Sequence, residues 1–152
     1  MEEITAADAV NNPYTGSIAI LLFVAAHFIN YKFGRGTKWA YVALLVGLVA
    51  SFMLYSSSWA TGISGTISGF IDGFGGIPAH IVMGVVCILA VIATVADVWS
   101  DPDYNNAAVW ALLIGPIAAH GASGFVYDLG HILYGGMTVV VQGLVSQLLG
   151  GW

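Results

Sequence analysis

Apolar residues fall into five stretches of membrane-crossing length, at about 13–31, 39–59, 77–96, 107–127 and 129–149, with short polar turns between them. A hydrocarbon core about 30 Å thick takes about 20 residues of helix. The pattern therefore predicts an all-α integral membrane protein, a bundle of four to five transmembrane helices forming one domain over residues 1–152. Gly115 and Pro116 sit near the middle of the fourth stretch, where proline removes a backbone donor and predicts a bend or break. So few residues around Asp128 remain before the fifth stretch that the last two helices are expected to form a tight hairpin.

Residues 61–77 follow a different pattern. Gly62, Gly65, Gly69, Gly73 and Gly76 recur at gaps of three and four, and Ile63, Ile67, Phe70, Phe74 and Ile77 do the same beside them. Both sets follow the helical period. Each glycine costs about 1 kcal/mol against alanine in an exposed helix, so a helix here needs packing to recover the loss. In lipid that packing comes from close backbone approach across small residues. At 1.5 Å per residue the segment reaches only about 25 Å, which predicts a short interfacial or re-entrant helix or an extension of a neighbour. Gly136, Gly143 and Gly150 form a second stripe at seven-residue spacing, with Val140 and Gln147 on the same side. Both stripes are read as helix-packing or oligomer surfaces.

Composition sharpens this picture. Of 152 residues 59% are hydrophobic and only 7% charged, too few charges to cover a water-soluble domain. The net charge of −5 opposes direct nucleic-acid binding. Lys32, Arg35 and Lys38, the three basic residues, share the first turn. By the positive-inside rule that loop is cytoplasmic, which puts the N-terminus and 61–77 on the opposite side. Glu2 and Glu3 stand where a signal peptide carries positive charge, so the first apolar segment is expected to be retained. Trp39, Trp59, Trp99, Tyr104 and Trp110 fall near span ends, as aromatic belts do. Cys87, the single cysteine, lies in an apolar run and reads as a small core residue.

Polar chemistry is sparse. His80, His120 and His131, with Asp72 and Asp128, all fall toward the non-cytoplasmic side; His27 lies toward the other. Ionisable groups at membrane depth face a bundle interior or water and so mark a candidate proton-sensitive cluster. Asp128 and His131 are spaced to pair on one helical face. No metal is expected, because histidines spread over three helices show no ligand spacing. His80 to Gly84 and His120 to Gly124 both read His-x3-Gly, and this spacing resembles the haem-binding helices of succinate dehydrogenase-type membrane anchors. The resemblance implies haem ligated by His80 and His120. Nucleophile elbows, dinucleotide fingerprints and phosphate loops are missing from the sequence, so no enzymatic activity is expected.

The reading that follows is a non-enzymatic, self-associating membrane protein whose glycine faces build a homo-oligomeric pore, conduit or structural assembly in the bilayer. Its size, small-residue content and short loops are similar in character to small polytopic proteins of phages and mobile elements, including holins, which implies a prokaryotic plasma membrane or a viral membrane. The alternative is an accessory or haem- or quinone-bearing anchor subunit of a larger redox or transport complex.

Overall fold

The computed structural model describes residues 13–33, 38–100 and 105–148, and all the regular elements among them are helical. They are α1 (Pro13–Phe33), α2 (Lys38–Tyr55), α3 (Ser58–Gly73), α4 (Ala79–Ser100), α5 (Asn106–Gly121), α6 (Gly124–Gly130) and α7 (Gly136–Leu148), the last two joined by a π-turn at His131–Gly135. Because both flanks of the π-turn are in the right-handed helical region, α6, the π-turn and α7 form one continuous helix. Among the described residues four helices are long and apolar enough to cross a membrane: Tyr14–Phe33, Lys38–Tyr55, Ala79–Asp97 and Gly124–Val141. At 16 residues, α5 is apolar but shorter.

Several boundaries differ from the sequence expectation, each for a local reason. The second span stops at Tyr55 rather than near 59 because Ser56, Ser57 and Ser58 follow it. Serine side chains bond nearby backbone and so compete with helix propagation. Ser57 is extended, and its hydroxyl accepts from the Ala60 N–H as the cap of α3. The third helix is helical as its stripes predict but ends at Gly73, so Gly76 and Ile77 lie in the following turn, where Gly75 takes a positive φ of 60°. That turn is held by Asp72, whose Oδ1 accepts from the Ala79 N–H at 2.7 Å. The hairpin before the last helix is Ala122–Ser123, and Gly124 opens that helix at φ 59°. Asp128 is therefore inside the helix and not in the turn.

Helix α5 does not break at Pro116. A proline within a helix leaves the carbonyl four residues earlier without its donor, which here is that of Leu112. The buried Ser51 on α2 donates its hydroxyl to this carbonyl at 2.7 Å. A neighbouring helix thus replaces the missing N–H, and the helix runs on to Gly121.

The core is built mainly from alanine, which lets helix axes approach closely. Ala26, Ala43, Leu44, Ala108 and Leu112 join α1, α2 and α5, while Tyr55, Met83, Cys87, Ala118, Ala119 and Tyr134 join the other ends of α2 and α5 to α4 and the last helix. Three internal glycines admit this spacing. A Cβ on Gly130 would lie 2.9 Å from that of Ala119, one on Gly121 would lie 2.8 Å from Met83 Cε, and one on Gly115 would lie 2.6 Å from the Tyr134 hydroxyl.

The Ser51 bond is testable by a double-mutant cycle. Ser51→Ala is expected to cost about 1–2 kcal/mol in reversible unfolding from detergent into SDS, because it leaves the Leu112 carbonyl bare. In a Pro116→Ala background, where the new residue supplies its own backbone N–H, the same substitution should cost less than half as much.

Candidate functional site

The last four carbonyls of any α-helix lack an intrahelical partner, and the C-terminal end of α2 is buried. Each of its four has a donor. The Phe52 carbonyl accepts from the Ser56 N–H at 3.3 Å, with Thr138 Oγ1 2.8 Å away, Leu54 accepts from the Ser57 N–H at 3.0 Å and hydroxyl at 2.6 Å, Ser56 Oγ donates to Met53 at 2.9 Å, and His120 Nε2 to Tyr55 at 2.7 Å. A carbonyl can only accept, so His120 carries its hydrogen on Nε2.

Tyr55 itself is 1% exposed and is the centre of the site. Its ring stacks on His120 with centroids 4.2 Å apart and planes 11° apart, and on Tyr134 at 5.4 Å and 21°. Its hydroxyl lies 3.0 Å from His131 Nδ1. The phenol hydrogen has no other acceptor among the described residues, so the hydroxyl donates to Nδ1 and His131 keeps its hydrogen on Nε2. Tyr127, one turn earlier, stacks on the His131 ring with planes 8° apart. His131 is exposed, so one side of its ring is fixed by Tyr55 while the rest faces outward.

Two of the four histidines, His120 and His131, are thus brought together, and the residue joining them carries no charge that would mark it in the sequence. Tyr55 sits at the end of an apolar run, and only the three serines after it signal a helix terminus. His80 is exposed at the start of α4 and makes no hydrogen bond or ring contact among the described residues; His27 is exposed on α1. Asp72 serves the α3–α4 turn. Asp128 is exposed, and His131 bonds Tyr55 rather than Asp128. Of the two His-x3-Gly glycines, Gly124 is needed for its positive φ and Gly84 faces Val126 at ordinary contact distance. Among the described residues no group of three or more histidine, cysteine or acidic side chains could hold a metal ion.

The π-turn changes how the last helix is read. Its buried positions are Gly130, Tyr134, Thr138 and Val141, with Val126 half-buried. Four-residue spacing drifts by about 40° per step on an α-helix of 3.6 residues per turn. A π-turn, with its i→i+5 bonding, absorbs one extra residue, about 100° of phase, and returns this row to one side. The same shift brings Asp128, His131, Gly136, Val140, Gly143 and Gln147 within about 80° of one another on the outward side. All six are exposed. Without the turn the two glycines would lie with Phe125, Leu129 and Ile132. The acidic–histidine pair and the second glycine stripe, separate in the sequence, share one face; Gly150 lies outside the described residues.

Helix α3 is also three-sided. Ala60, Ser64, Ser68 and Ile71 face inward, the Ile63, Ile67, Phe70 and Phe74 row forms an exposed ridge, and Gly62, Gly65, Gly69 and Gly73 form a trough. An added Cβ at any of these four glycines, or at Gly76, Gly136 or Gly143, would meet nothing within 4 Å. Trp59, Gly62, Ile63, Thr66 and Ile67 line an open, apolar groove of about 440 Å³.

No protein-family model, curated protein or solved structure matches the chain.

His120→Leu is expected to cost about 1–3 kcal/mol in SDS unfolding, the penalty of a buried bare carbonyl, and Tyr55→Phe about 1 kcal/mol for one hydroxyl bond. Nitrogen-15 NMR of histidine-labelled protein should show both His120 and His131 as the Nε2–H tautomer, with the His131 Nδ1 resonance moving in Tyr55→Phe and that of His120 staying in place.

Proposed function

We propose that the chain is a non-enzymatic, self-associating membrane protein that forms a homo-oligomeric conduit. The observation that carries this reading is the contrast between two sets of glycines. Gly115, Gly121 and Gly130 lie where a Cβ would come within 2.6–2.9 Å of a neighbouring atom, so the chain uses glycine internally where contact demands it. Gly62, Gly65, Gly69, Gly73, Gly136 and Gly143 have open space above them and carry the same cost in helix stability. Glycine repeated on an outward helical face gives close approach to another helix.

The shape of α3 favours a second copy as that helix. Its ridge and trough flank a common line near Thr66, about 120° apart by helical phase. Two α3 helices side by side and parallel bring the ridge of each over the trough of the other, a self-complementary contact. Antiparallel pairing sets ridge against ridge. Copies inserted in one orientation meet in the parallel sense.

The outward face of the last helix supports a conduit rather than a purely lipid-covered bundle. Asp128, His131 and Gln147 are costly against hydrocarbon and acceptable against water or another protein. The placement of the basic α1–α2 turn at the cytoplasmic side, and of Asp128 and His131 at the other, follows from the positive-inside rule and belongs to this proposal.

Disulfide trapping tests the assembly. In a Cys87→Ser background, single cysteines at positions 62, 65 and 69 should cross-link between copies in native membranes, and cysteines at 60, 64 and 68 should not. Trapping with one foreign protein instead would point to an accessory subunit. Gly65→Leu should abolish the cross-linked species while leaving SDS unfolding of the single chain within about 1 kcal/mol of wild type, since among the described residues nothing lies within 4 Å of an added Cβ there.

A further inference from the structure

The last helix carries two rows suited to face the bundle, and the structure buries the less apolar one. Continued as a plain α-helix from Val126 and Gly130, the inward side runs through Leu133, Met137, Val140 and Leu144 at gaps of three and four. After the π-turn at His131–Gly135 the buried row is instead Tyr134, Thr138 and Val141, and Leu133, Met137, Val140 and Leu144 are all exposed. One absorbed residue, about 100° of phase, separates the two arrangements. In lipid the hydrophobic effect does not choose between them, because an apolar row sits as well against acyl chains as against a helix. Directional contacts decide.

Those contacts come from one turn of α2. Tyr55 donates its hydroxyl to His131 Nδ1 at 3.0 Å, where the π-turn begins, and the Phe52 carbonyl lies 2.8 Å from Thr138 Oγ1, beyond its end. Within the turn, Tyr134 stacks on Tyr55. On a plain α-helix His131 and Thr138, seven residues apart, lie about 20° from each other, whereas the absorbed residue sets them about 120° apart. Thr138 then turns into the bundle toward Phe52 while His131 stays at its surface, so the two contacts together select the π register. The clamp can open without stranding an acceptor on α2, since the Phe52 carbonyl also holds the Ser56 N–H at 3.3 Å.

We propose that the last helix is a two-register element, held in the π register by the Tyr55–His131 and Phe52–Thr138 contacts. With the clamp open the extra residue is taken up, the second half of the helix turns by about 100°, and Leu133, Met137, Val140 and Leu144 pack inward in place of Tyr134, Thr138 and Val141. Two packings of one sequence that differ by a few contacts make a bistable element, and helix register shifts belong to the microsecond-to-millisecond range of protein motion. The rotation carries Gly136 and Gly143 away from Asp128 and His131. In the self-association proposed above, on which this consequence alone rests, the end of α2 thereby controls which face the last helix presents to a neighbouring copy.

The test is photolabelling of the full-length protein by a diazirine-bearing phospholipid, read residue by residue by mass spectrometry. Nanodiscs holding one chain each keep contacts between copies out of the result. In the wild type Met137, Val140 and Leu144 should be labelled. In Tyr55→Phe/Thr138→Val, which removes both hydroxyls and nearly conserves side-chain volume, these residues should lose their label while Phe125, before the turn, keeps it. Local unfolding exposes residues and cannot shelter them. Deleting Gly135 builds the observed buried row into a plain α-helix, so the same double variant lacking Gly135 should regain the wild-type pattern. Unchanged labelling of Met137, Val140 and Leu144 in the double variant, or a rise in labelling throughout 131–144, overturns the two-register assignment and leaves the self-association reading standing.

Discussion

A bundle made of apolar helices has few ways to satisfy a backbone carbonyl that leaves the regular α-helical pattern, and this constraint governs the structure. At the buried C-terminal end of α2 the Phe52 and Leu54 carbonyls accept the backbone N–H groups of Ser56 and Ser57, while Ser56 and His120 side chains meet Met53 and Tyr55 and the Ser57 hydroxyl adds a bond to Leu54. Pro116 exposes a further carbonyl, at Leu112, and Ser51 covers it. Thr138 Oγ1 lies within hydrogen-bond reach of both the Tyr134 and Phe52 carbonyls and has one hydrogen to give. Most of the buried polar side chains thus serve the backbone. The two histidines at this end have structural reasons to be where they are before any function is assigned: His120 caps α2, and His131 accepts the Tyr55 hydroxyl. Even so, the arrangement leaves one consequence for function, because fixing Tyr55 fixes His131 on an outward surface.

The same economy separates inward from outward faces. Inside, alanine and three close-packed glycines bring helices together. Outside, α3 and the last helix each divide into an inward row, a row of large apolar residues suited to lipid, and a row of glycines with open space above it. A helix that met only lipid would gain nothing from the third row. On the last helix that row also carries Asp128, His131 and Gln147, which lipid disfavours further. This shared plan of two helices is what the proposed self-association rests on.

Helix existence was legible in the sequence because hydrophobic length and the glycine and isoleucine–phenylalanine stripes are strong signals. The stripe on α3 marked it as helical, since small residues at helical period have no use in a loop. Boundaries were less legible where polar and turn-forming residues lay inside apolar runs. Ser56, Ser57 and Ser58 ended a span early, Gly124 opened a helix expected to begin near 129, and Gly76 fell into a turn. Pro116 misled because its compensation comes from Ser51, on a helix far away in sequence, and periodicity carries no information about such a partner. The joining of Asp128 and His131 to the second glycine stripe was hidden for a related reason: one added residue of π-helix rotates half a helix, and no residue type announces it. Tyr55 was illegible as a site residue because its importance lies in what surrounds it.

The central claim is that the outward glycine faces join copies of this chain. Native mass spectrometry of the protein released directly from lipid nanodiscs tests it most directly. A single dominant species at an integral multiple of the chain mass, converted to the single-chain mass by a bulky residue at Gly65, is the result the account predicts. A species at the single-chain mass in the wild type, over the concentration range in which the bundle remains folded, would contradict it.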